Sequence, residues 1–283
     1  MLGSTQVRQL NKISESHKKR APRYHRPMRM RLLPATPALA DQVRNFVIVE
    51  TAEAATRLLM PEPSILLGIR YGGYAEQLDG PKTRRLPQAT LTGLRDTARS
   101  MHTSAGGGIL LAAFRPAGAA QFFDLPAEGL FGTTLDLASL VADADLAGLC
   151  AAVAAARDDL QRVDCLERFL LARRRRPADM LVSEALRAIE NSVGTIRIAA
   201  LASDLGVSVD WLAKRFRRTV GATPKQLASI IRMRHALSLY GEASSLTRLS
   251  VEAGYADQSH FIREFRSVTG QAPRRLLKGS EYC

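Results

Sequence analysis

LASDLGVSVDWLAKRFRRTVGATP, residues 201–224, and LSVEAGYADQSHFIREFRSVTGQAP, residues 249–273, are one pattern written twice. Leu201, Gly206, Leu212, Phe216, Arg217, Gly221 and Pro224 of the first copy align with Leu249, Gly254, Phe261, Phe265, Arg266, Gly270 and Pro273 of the second. The first glycines are 48 residues apart and the prolines 49, so the second copy carries one extra residue in its turn. Two related supersecondary units therefore lie side by side.

Each copy reads as a helix, a sharp turn and a second helix. In the first, Thr195 is placed to cap a helix whose Ile198, Leu201, Ala202 and Leu205 share one face. Gly206 suits the turn because it takes positive φ without steric cost. Ser208 then caps a helix with Leu212 and Phe216 inside, leaving Val209, Asp210, Ala213, Lys214, Arg217 and Arg218 outside. In the second copy Leu246, Leu249 and Val251 precede Gly254, and Asp257 caps a helix with Phe261 and Phe265 inside. Gln258, Ser259, Ile262, Arg263 and Arg266 face outward there.

Lysine and arginine around a small alanine fit a helix that enters the DNA major groove, and Gln and Arg pair bidentately with adenine and guanine edges. Ile262 is placed to meet a thymine methyl. One such helix alone is more readily an ordinary surface helix. The equivalence of Lys214 with Arg263 and of Arg217 with Arg266 is what favours DNA. Between the copies, Thr223 caps and Pro224 opens the segment PKQLASIIRMRHALSLY, whose Leu227, Ile230, Ile231, Leu237 and Tyr240 mark one face. A helix of roughly 17 residues spans about 25 Å. With its flanking turns it can hold two reading helices about one DNA turn, roughly 34 Å, apart.

The segment from about 180 to 278 resembles the DNA-binding domain of the AraC/XylS family of bacterial transcriptional regulators. The resemblance rests on LASDLGVS with FRRTVG, on IRMRHALSLY, and above all on EAGYADQSHFIREFRSVTGQAP. It implies base reading by Asp210, Ala213, Lys214, Gln258, Ser259 and Arg263, to which the outward reading above adds Ile262. Ser208, Arg217, Arg218 and Arg266 are then placed for phosphate contact. The family usually continues after the last proline with Tyr-Arg, whereas this chain has Pro273-Arg274-Arg275-Leu276, where the two arginines keep a phosphate role. The resemblance also implies activation through RNA polymerase and a bacterial cytoplasmic setting.

Upstream, residues 145–177 form one or two amphipathic helices with Leu146, Leu149, Val153, Leu160, Val163, Leu166 and Phe169 or Leu170 in a stripe, ending in an Arg173–Arg176 linker before Pro177. Dimerisation through this stripe and packing on the preceding domain are both open. Residues 32–144 read as strands: FVIVE at 46–50, ILLGIRY at 65–71 and GILLAAFR at 108–115, punctuated by Gly72-Gly73, Asp79-Gly80-Pro81 and Gly106–Gly108. The stretch FRPAGAAQFFDLPAEGLFG, 114–132, resembles a small β-rich sensor domain found at the N-terminus of many regulators. A cavity lined by Phe114–Phe123 would mark a sensor, and a packed interior a dimerisation module. Residues 1–31 read as a basic tail, either solvated or following DNA phosphates.

The expected fold class is thus α+β: a β-rich, barrel- or sandwich-like domain over 32–144, helices and linker over 145–177, and an all-α tandem helix-turn-helix domain over 178–283. Charge supports the division. The net +13 splits as nine Lys/Arg against one acid in 1–31, sixteen against sixteen in 32–177 and fifteen against ten in 178–283. Basic ends on a neutral middle point to a polyanion, double-stranded DNA first. Cys150, Cys165 and Cys283 form neither a disulfide framework nor a zinc site, which suits a reducing cytoplasm. The histidines His17, His25, His102, His235 and His260 are scattered, and no phosphate loop, paired metal-ligand spacing or nucleophile elbow is present, so neither enzyme activity nor a cofactor is expected. No apolar run approaches the roughly 20 residues of a membrane helix. A small-molecule effector and a homodimer complete the expected partners.

Overall fold

The computed structural model describes residues 28–124, 127–174, 177–240 and 245–278. The described residues include ten strands: β1 (Met28–Leu33), β2 (Val43–Thr51), β3 (Ala55–Leu59), β4 (Leu66–Gly72), β5 (Ala75–Asp79), β6 (Lys82–Arg85), β7 (Ala89–Thr92), β8 (Arg99–Thr103), β9 (Gly107–Phe114) and, after two short 3-10 turns, β10 (Thr134–Asp136). They form a six-stranded sheet in the order β1-β2-β9-β4-β7-β10 and a four-stranded sheet in the order β3-β8-β5-β6. The three apolar runs of the sequence are β2, β4 and β9, which neighbour one another in the larger sheet. Phe46 and Ile48, Leu67 and Ile69, and Leu110, Ala112 and Phe114 recur at every second position and are buried, the period-2 pattern of a sheet with one face in the core.

The chain enters this sheet earlier than its charge suggests. Met28 to Arg31, counted with the basic tail, are the first residues of β1, in register with β2 from Met28 opposite Thr51 to Leu33 opposite Phe46. Their arginines are paired: Arg29 lies 2.8 Å from Glu50, and Arg31 lies 2.7 Å from Asp159. The rest of the tail, residues 1–27, lies outside the described residues.

Helices α1 (Asp143–Ala155) and α2 (Asp159–Arg173) follow, and Leu149, Val153, Val163, Leu166 and Leu170 join the core of the β-domain. The amphipathic stripe is thus covered within the chain. Leu160 departs from it, 66% exposed, because its neighbour Asp159 is the buried residue. Arg29, Arg31 and Arg162 all reach that carboxylate, and a buried charge needs such partners.

The remaining helices are α3 (Met180–Asn191), α4 (Ile198–Asp204), α5 (Val209–Val220), α6 (Pro224–Leu239), α7 (Leu246–Glu252), α8 (Gln258–Thr269) and α9 (Pro273–Lys278). One core runs from the six-stranded sheet through the turn at Ala127–Leu130 into Leu212, Phe216 and Val220 of α5. A second core gathers Phe261, Phe265 and Val268 of α8 with Leu249, Met233 and Tyr255, and Met60 from the end of β3 is buried in it. The β-domain therefore packs on both halves of the doubled segment.

Candidate nucleic-acid interface

In the first unit, α4 and α5 meet at Gly206, whose φ of 67° is the left-handed conformation the turn demands. Ser208 caps α5, its hydroxyl accepting from the Trp211 amide at 3.2 Å. Leu212, Phe216 and Val220 are buried along one face. The opposite face presents Ser208, Asp210, Lys214, Arg217 and Arg218 to solvent, with Ala213 half-buried among them. Thr195 does not cap α4. Arg197 occupies that position without a side-chain cap bond, and the Thr195 hydroxyl instead donates to the Ser192 carbonyl at 2.7 Å. The turn after α3 holds Thr195 back, two residues short of the helix.

The second unit repeats the plan. Asp257 caps α8, its carboxylate accepting from the His260 amide at 2.7 Å, while Phe261 and Phe265 are buried. Ser259, Arg263 and Arg266 are exposed. Gln258 and Ile262 are half-buried: the Gln258 side-chain oxygen accepts from the Thr247 hydroxyl, and Ile262 packs on the second core. Val251 is 64% exposed, leaving Leu249 to anchor α7. Arg274 and Arg275 are exposed at the start of α9.

Ion pairing separates two kinds of cation here. Among the described residues, Lys214, Arg217, Arg218, Arg263, Arg266, Arg274 and Arg275 take part in no ion pair, whereas Arg215 lies 2.8 Å from Asp179 and Arg232 lies 2.8 Å from Glu264. The paired arginines hold the scaffold, and the unpaired ones remain available to a polyanion.

The two scaffold pairs are related through the repeat. Arg215 and Glu264 occupy the same aligned position, one residue before the buried Phe216 and Phe265, with opposite charge. Each ties its reading helix to an earlier helix: Arg215 to the cap of α3, and Glu264 to α6. Glu264 also accepts from the Ser229 hydroxyl, and Arg232 donates to the Gly194 carbonyl at 3.4 Å, so α6, α8 and the turn after α3 meet at one point. Burial by itself lowers the Arg232 guanidinium, but the Glu264 charge and hydrogen bond outweigh it and hold it above its ordinary value. This hub is absent from the expected site residues. Its signal is the charge reversal at aligned positions 215 and 264.

The joining helix α6 carries a full capping box, in which the Thr223 hydroxyl accepts from the Gln226 amide and the Gln226 side chain accepts from the Thr223 amide. Its 16 residues span about 24 Å.

Among the described residues, no three or more His, Cys, Asp or Glu side chains come together as a metal site. Burial, with a smaller contribution from Asp136, raises the Cys150 thiol, which disfavours the reactive thiolate. No helix among the described residues is long and apolar enough to cross a membrane.

Two helix-turn-helix units on one connecting helix carry unpaired cations on the exposed faces of both second helices, an arrangement suited to a polyanion. Residues 201–279 match the helix-turn-helix domain family. The chain is 29% identical over 104 residues to the HTH-type transcriptional regulator YidL of Escherichia coli strain K12, covering 34% of this chain and 35% of that protein. It thus spans about a third of the length of the curated relative it matches. Among solved structures, unsaturated fatty acid bound ToxT from Vibrio cholerae strain SCE256 covers 91% of this chain and 97% of its own at 13% identity and a TM-score of 0.46. A "probable AraC family transcriptional regulator" from Rhodopseudomonas palustris CGA009 covers 35% of this chain and 96% of its own at 26% identity and a TM-score of 0.31.

Proposed function

We propose that the chain is a sequence-specific DNA-binding transcriptional regulator whose α5 and α8 read adjacent major-groove segments. The observation that carries this is the pair of exposed helix faces whose cations have no carboxylate partner among the described residues. Asp210, Ala213 and Lys214 on α5, and Gln258, Ser259, Ile262 and Arg263 on α8, are the proposed base readers. Ser208, Arg217, Arg218, Arg266, Arg274 and Arg275 are the proposed phosphate contacts. The half-buried state of Gln258 and Ile262 favours Ser259 and Arg263 as the principal readers in the second unit. The resemblance to AraC-type regulators supports activation, with RNA polymerase as partner, and action on a cytoplasmic chromosome.

A second reading has its own support. The Phe114 ring meets a tilted Phe122 ring at 5.6 Å and Phe123 edge-to-face at 6.3 Å, and the void beside Phe123 and Leu91 is only about 10 Å³. That is room for one water at most. The Phe114–Phe123 stretch is packed rather than lining a cavity, which favours an oligomerisation role or an effector bound at a domain seam. A cleft of about 640 Å³ does lie at the seam between Gln121, Asp124 and the Trp211–Lys214–Arg218 edge of α5.

Selection of bound fragments from a genomic DNA library tests the regulator reading. Enrichment of a defined motif long enough for two groove segments is expected. Recovery of fragments without sequence preference would leave only a non-specific DNA binder.

A further inference from the structure

Three arginines of the β-domain are gathered where no carboxylate pairs with them. Arg95 Nη2 and Arg99 Nη1 both donate to the Thr134 hydroxyl, at 3.3 and 3.2 Å, and that hydroxyl also meets Thr92 Oγ1 at 3.2 Å. Among the described residues, Arg84 reaches only the Gln77 side-chain oxygen, at 3.5 Å. One neutral oxygen thus serves two guanidinium groups, and the Arg95 Nε is buried with no partner. Among the described residues, none of the three arginines forms an ion pair. Asp79 is the carboxylate whose charge acts on the group, and it is already bonded by the Gln77 amide at 3.0 and 2.9 Å. Burial, then the charges of Arg95 and Arg84, pushes the Arg99 guanidinium down to about 10. Like charges held together in partial burial are costly unless an opposite charge joins them.

We infer that Arg84, Arg95 and Arg99, with the Thr134 hydroxyl, form a binding site for a small doubly charged oxyanion, a phosphate ester or a polycarboxylate. Three guanidinium groups against the single Asp79 leave a net charge of about two to be neutralised. The planar donor forks of arginine suit the oxygens of such a group. The site also touches the DNA-binding half. Ala98, next to Arg99, donates its amide to the Val268 carbonyl of α8 at 2.7 Å. An anion bridging Arg95 and Arg99 fixes the segment that carries this bond, and so reports its presence at the second reading helix. Binding stands independently of the regulator reading, and only the transmission to α8 rests on it.

The test is thermal unfolding and calorimetric titration of the full chain with inorganic phosphate and with citrate, at ionic strength held constant with sodium chloride so that screening does not vary. For the wild type and for Lys225→Gln, a surface control, the melting temperature rises and saturates. In Arg95→Gln and Arg99→Gln the apparent affinity falls at least tenfold, while without anion these variants melt no lower than wild type, because repulsion is relieved. Arg84 is exposed, so Arg84→Gln folds in any case and gives a several-fold loss by titration. Equal, non-saturating responses in all proteins overturn the site. Loss of binding to a random DNA duplex in these variants, with no phosphate response in wild type, also overturns it and assigns the cluster to the DNA backbone. With phosphate binding established, an unchanged affinity for the selected DNA in its presence removes the link to α8 alone.

Discussion

Lys214 and Arg263 stand at equivalent places on two helices that share a plan, and the arginine pair 217 and 266, but not their remaining outward residues. Their replacement by alanine is expected to weaken binding to the selected site by about 1–3 kcal/mol each while leaving random DNA nearly unaffected. Equal losses on both DNAs, measured by fluorescence anisotropy, would reassign them to phosphate. Arg217→Ala and Arg266→Ala should instead lower affinity on any sequence and reduce the slope of log affinity against log salt by about one each. Glu264 makes a different demand. It is largely buried with Arg232, so Glu264→Gln leaves a guanidinium short of its counter-charge and should cost about 1–3 kcal/mol of stability in chemical denaturation. Because Glu264 touches no proposed base position, specificity at each base should persist in the folded fraction. A changed motif would make it a reader.

At the scale of elements, the two reading helices end alike and are used differently. Gly221 closes α5 at φ 87° and Gly270 closes α8 at φ 72°, both in the left-handed cap conformation. A Cβ at Gly270 would meet nothing within 4 Å, whereas one at Gly221 would lie 2.7 Å from the Ala127 carbonyl of the β-domain. Gly270→Ala should therefore cost only the backbone penalty, about 1 kcal/mol, and Gly221→Ala distinctly more. Equal losses of melting temperature would show that the β-domain does not press on α5.

Much at this scale is legible in the sequence, because caps and turns are local. Ser208, Thr223 and Asp257 cap where their positions indicate, and the inward Leu212, Phe216, Phe261 and Phe265 follow from periodicity. What periodicity cannot convey is pairing across long separations. Asp159 is buried by Arg29 and Arg31, about 130 residues earlier in the chain, so both the rotation of α2 that exposes Leu160 and the start of β1 at Met28 escape a local reading. The 215–179 and 232–264 pairs escape it likewise. Only the aligned copies hint at them.

Across the whole molecule, the β-domain meets the helical domain at several places among the described residues. Ala127 lies against the end of α5, and Met60, with Leu58 and Ala98, packs on the core of the second unit. Glu62 adds an ion pair to Arg234 of α6. Met60→Ala should destabilise the protein by about 2–5 kcal/mol. Hydrogen exchange should show the loss in α8 as well as β3. Protection changes confined to β3 would mean that the methionine serves its own sheet alone. Removal of residues 1–27 is expected to leave the selected motif unchanged, read by repeating the DNA selection.

That methionine also sets a rule for engineering. The core of the second unit is completed by a side chain more than 170 residues upstream, so the helical half is not a free-standing cassette. A fragment beginning near residue 178 would open an apolar gap beside Met233 and Phe265, with the self-association that exposed apolar patches bring. A chimera that places a foreign sensing domain on these helices would inherit the same gap unless the donor supplies a side chain of matching volume at the seam.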